Sequence, residues 1–94
     1  MKSLEFYKKE LEKALGKKNR LERFLERSKK AIVFQESIKQ ARQEIAETLE
    51  LIQGYRAIVA SLATGIPLVR YHDHRIAFRI LNNELKENRR SDNG

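Results

Sequence analysis

The stretch Ile38–Leu62, IKQARQEIAETLELIQGYRAIVASL, decides the fold. Ile38, Ile45, Ile52 and Val59 stand seven apart in it, and Ala41, Thr48, Tyr55 and Leu62 hold the companion positions. Residues repeating at steps of three and four line up on one side of a helix, and that side needs a second apolar surface to cover it. The repeat predicts a long helix carrying a coiled-coil seam, rich in isoleucine along one edge and mixed along the other.

Toward the N-terminus a second stripe appears. Leu4, Tyr7, Leu11, Ala14, Leu21, Leu25 and Ile32 recur at spacings of three, four or their sums, with Lys18 and Ser28 filling seam positions. Ser3 is placed to cap this helix by accepting from a free backbone N–H, and Glu5 falls in the positively polarised first turn. Gly16 costs about 1 kcal/mol relative to alanine inside a helix and is also a residue that ends one. The stripe keeps its phase on both sides of Gly16, which predicts continuation or a mild kink. From Ile32 to Ile38 the step is six residues, not seven, beside the run Ala31-Ile32-Val33-Phe34. That slip predicts a tight reversal near Ser28–Lys30 and antiparallel packing of the two helices. Neither Gly nor Pro stands there, so a single uninterrupted helix is the rival.

Toward the C-terminus, Gly65 follows the last seam residues and Pro67 stands two further on, a pairing that stops a helix. Asp73 is placed as the N-cap of a third helix whose apolar side is Ile76, Ala77, Ile80, Leu81 and Leu85. After Lys86 nothing remains to bury. The expectation is an all-α chain: an antiparallel, coiled-coil-like helical hairpin with a short C-terminal helix, one domain over 1–86 and a flexible tail over 87–94.

A chain of 94 residues builds only a thin core, so its stability leans on long helices, a partner or self-association. Apolar residues make up 40% and charged residues 35%, a balance that belongs to helical bundles rather than disordered chains. Absence of cysteine excludes a disulfide scaffold and thiolate metal sites, and suits a reducing compartment. No apolar run approaches the roughly 20 residues of a membrane span. Met1-Lys2-Ser3 leads straight into a charged amphipathic segment without a secretory signal. A soluble cytoplasmic protein with no membrane partner is expected.

The net charge of +7 is unevenly placed. Residues 1–30 hold eleven Lys and Arg against five Glu, whereas residues 31–64 hold three against four acids and residues 65–94 six against four. Lys13, Lys17, Lys18, Arg20, Arg23 and Arg27 form the expected basic face, able to meet phosphate or carboxylate. Glu5, Glu10, Glu12, Glu22 and Glu26 are interleaved on the same segment and are expected to cancel much of the field.

Little points to chemistry. His72-Asp73-His74 resembles a metal site, but zinc or iron wants three or four converging ligands and the chain has no Cys and no third His. Its serines lie on helical segments without a glycine elbow, and its four glycines are scattered rather than gathered into a phosphate-cradling loop. No catalytic residue, metal site or cofactor is expected, and no enzyme. The loop is different: Gly65, Ile66, Pro67 and Leu68 present extended backbone and aliphatic side chains, followed by Arg70, Tyr71 and Arg75, residue types enriched at interface centres. The expected function is protein interaction through these residues. Direct, weakly specific binding of DNA or RNA is the alternative, and spare seam surface makes a homodimer a natural further partner.

The profile as a whole, short, cysteine-free, basic and helical with its single Pro67 in Gly65-Ile66-Pro67-Leu68, resembles small bacteriophage proteins that seize a host enzyme. Among these it is most similar to the anti-RecBCD proteins of temperate enterobacterial phages. The likeness is one of general character along the chain, with the loop its one local feature. It implies a non-enzymatic inhibitor or modulator in the host cytoplasm that binds the RecBCD recombination nuclease, or its complex with DNA, and protects phage DNA ends. It also implies a host prolyl isomerase as a docking partner for the proline loop.

Overall fold

The computed structural model describes residues 1–28 and 35–92, the side chains of 88–92 excepted. Two long helices, α1 (Leu4–Ser28) and α2 (Gln35–Thr64), pack against each other as the antiparallel hairpin that the two stripes require. A 3₁₀ turn at Leu68–Arg70 follows, and a third helix, α3 (His74–Asp92), packs on α2. No strand occurs among the described residues. The expected reversal near Ser28–Lys30 starts where α1 ends, but its path through 29–34 lies outside the described residues. Helical backbone continues past the Lys86–Glu87 boundary to Asp92.

Helix limits follow from local chemistry. The Phe6 N–H donates to Ser3 Oγ at 3.2 Å, the expected N-cap, and the Tyr7 N–H donates to the Ser3 carbonyl at 3.3 Å. Gly16 lies within α1, which runs on through it. At the end of α2, Gly65 adopts φ +77°, a left-handed conformation that side chains other than glycine's resist, and its N–H donates to the Ser61 carbonyl at 2.9 Å. Asp73 directly precedes α3, and its carbonyl accepts from the Ala77 N–H at 3.1 Å.

All eight seam residues of α2 are buried or half-buried, and so are Leu4, Tyr7, Leu11, Ala14, Lys18, Leu21, Leu25 and Ser28 opposite. Buried hydroxyls in the seam are satisfied by their own helices: Thr48 Oγ1 donates to the Glu44 carbonyl at 2.6 Å and Ser28 Oγ to the Phe24 carbonyl at 2.8 Å. A second face of α2 was not expected. Gly54 and Ile58, about a third of a turn round from the seam, are also buried, and α3 lies against them. A Cβ on Gly54 would fall 2.5 Å from Ile80 Cδ1 and 2.9 Å from Ile76 Cγ2, so the missing side chain sets how closely the helices approach.

Tyr7 locks the three helices together. Its side chain is wholly buried in a cluster with Ala57, Ile58, Ala77 and Ile80, and its hydroxyl donates to Glu84 Oε2 of α3 at 2.8 Å. Burial, followed by this hydrogen bond to a carboxylate, pushes the phenol up to about 12. Tyr55, beside it, is raised as well, by burial first and then by Glu10, Glu84 and Glu87.

Candidate protein-docking surface

Side chains hold the segment from Gly65 to Tyr71 in one shape. Ser61 Oγ donates to the Ile66 carbonyl at 2.7 Å, and the Ile66 N–H donates to Thr64 Oγ1 at 3.2 Å. Thr64 Oγ1 also lies 2.8 Å from the Tyr71 hydroxyl and 2.7 Å from the Ala60 carbonyl, which ties both ends of the loop to the last turn of α2. Pro67, at φ −55° and ψ 137°, has polyproline geometry and leads into the 3₁₀ turn. Backbone bonds from Arg70 to Pro67 and from Tyr71 to Leu68, both 3.0 Å, close that turn.

Within this frame the residues divide by role. Leu68 and Tyr71 turn inward and pack on the core cluster, so they support the loop rather than present themselves. Ile66 and Val69 point outward, 42% and 60% exposed, with Pro67, Arg70 and Arg75 also in water. Val69 was not among the expected contact residues. Its signal was the run Ile66-Pro67-Leu68-Val69, in which only a three-residue turn decides which aliphatic side chain faces out. From Tyr71 the frame passes into α3: its carbonyl lies 2.7 Å from His74 Nδ1, and the His74 ring meets the exposed Phe78 edge to face at 6.2 Å. His74 is thus engaged with the loop and His72 is exposed. Among the described residues no three His, Cys, Asp or Glu side chains gather where a metal would sit.

The expected basic face divides too. Lys13, Lys17, Arg20 and Arg27 are exposed within one arc of α1 that begins beside the seam at Lys17 and turns outward to Arg27. Lys18 is not with them: it lies half-buried at the seam, 3.6 Å from Glu22. Arg23 is exposed at the margin, beside Glu26 and Arg27, and its carbonyl accepts from Arg27 Nε at 3.4 Å.

The fold and this surface define a three-helix hairpin that displays a braced loop. No family model, curated sequence or solved structure matches the chain. Among the described residues no helix is long and apolar enough to cross a membrane.

Proposed function

We propose that the chain is a non-enzymatic binding module that docks on a partner protein through the loop end. One observation carries this reading: an apolar, cation-flanked loop is exposed and yet already braced by three side-chain hydrogen bonds. Ordering a loop on binding costs free energy, and a loop fixed beforehand avoids that cost. Ile66 and Val69 would fill an apolar pocket while Arg70 and Arg75 meet carboxylates at its rim. A photo-crosslinking residue at Ile66 should capture one protein in the source cell, and Val69→Asp should abolish the capture. An identical capture from Gln43, at the far end of the molecule, would sink the reading. The likeness to nuclease modulators supplies a first purified partner to try, RecBCD, whose DNA degradation should fall with the wild-type chain and not with Val69→Asp.

Self-association is the second reading. Leu49, Leu51, Phe78 and Leu85 remain 40–56% exposed, apolar side chains that a second copy would cover. Sedimentation across a concentration series separates monomer from dimer.

A further inference from the structure

We propose that a basic flank of α1 is a track for the phosphate backbone of duplex DNA, separate from the loop end. Successive helix residues turn about 100° around the axis, so neighbours along the chain are not neighbours on the surface. Tyr7, Ala14 and Ser28 are the buried residues of α1 and mark its inner side. To one side of them, in an arc that runs from Lys17 near the seam edge round to Lys9 and Arg27, stand Lys9, Lys13, Lys17, Arg20 and Arg27, at steps of four, four, three and seven, all exposed. These steps keep five cations within one arc for about 27 Å of helix.

The glutamates border this arc without entering it. Glu22 turns to the seam, where it meets Lys18 at 3.6 Å; Glu5 and Glu12 lie on the side opposite the seam, Glu5 3.7 Å from Lys8; and Glu26 lies beside Arg23 and Arg27. Glu10 is half-buried at the opposite margin and takes Lys13 at 3.1 Å. No glutamate stands inside the arc itself, so the cancellation expected from the chain order is only partial there: Glu10 takes Lys13 and Glu26 lies beside Arg27, while Lys9, Lys17 and Arg20 keep their charge toward water.

The face also tells which anion it fits. A protein interface needs a buried apolar or aromatic centre. Here the nearest rings, Phe6 and Phe24, are half-buried; Phe6 packs on Tyr7 edge to face, with Lys2 Nζ 4.3 Å above it. Free rings for stacking on single strands, and amides for reading base edges, are both missing from the arc. A row of charges without anchors or readers suits a regular polyphosphate bound without sequence preference.

The test titrates the full chain onto a short fluorescent DNA duplex at several salt concentrations. Affinity should fall with salt at a log–log slope of about −3, as for a few displaced counterions. Lys9→Ala/Arg20→Ala should weaken binding about tenfold and flatten the slope by nearly two. Lys8→Ala/Lys39→Ala removes the same charge from other faces and should change affinity less than threefold. Circular dichroism checks that both pairs stay helical. Val69→Asp should bind DNA like the wild type, which keeps this proposal distinct from the loop. No wild-type binding at low salt overturns it, as does equal weakening by the two pairs, or equally tight binding of a single strand or of polyglutamate.

Discussion

At one end of the hairpin three helices meet, and Tyr7, Ala57, Ile58, Ala77 and Ile80 are almost wholly out of water. Toward the reversal only two helices face each other, and there Leu21, Leu25, Ile38 and Ile45 are each half-exposed around the small residue Ala41. The same seam runs through both ends. What differs is the third layer: a two-helix seam covers only one side of each side chain, and α3 supplies the missing wall on α2. The braced loop therefore sits on the part of the molecule with the deepest core.

This contrast can be broken by substitution. Ile58→Ala should cost about 2–5 kcal/mol, whereas Leu25→Ala, near the reversal, should cost about 1, both read from urea unfolding. Equal losses would erase the difference between the ends.

Next in size is the tyrosine latch. Because the Tyr7 phenol is raised from 10.0 to about 12 in the folded chain, the folded state keeps this proton where the unfolded state gives it up. Its stabilisation is complete below pH 10 and declines as pH rises through 12, by about 2–3 kcal/mol in all. Tyr7→Phe should be less stable at pH 8 and should lose less than the wild type between pH 10 and 12. Parallel curves for the two proteins would remove the latch.

Two glycines sharpen the comparison further. Gly54→Ala forces Ile76 and Ile80 away from α2 and should destabilise by about 1–2 kcal/mol, the overpacking outweighing the gain in helix propensity. Gly16→Ala meets only Arg20 Nη1 at 3.4 Å and should stabilise by up to about 1 kcal/mol. The same exchange thus has opposite signs at the two sites. Smallest in free energy, amide exchange should be slower at Tyr55–Leu62 than at Leu21–Ser28, since local opening follows burial.

Much of the fold was legible. The sevenfold repeat placed the seam, and Gly65 with Pro67 placed the stop, because both act through local rules of helix geometry. Other features obey no local rule. Gly54 and Ile58 form a second face on a helix whose strong seam had already explained its apolar residues. Tyr7 and Glu84 are 77 positions apart, and no spacing in the chain pairs them. The basic face was visible as composition, but its segregation from the glutamates needs the residues laid around α1 rather than along it.

The Tyr7 to Glu84 bond also orders events in time. The hairpin seam needs nothing beyond α2 and can close early in synthesis, but the first turn of α1 finds its final environment only after position 84 has been made. The junction of the three helices is therefore the last part to mature, and a nascent chain stalled before that point would carry its helices and its braced loop without the lock between them.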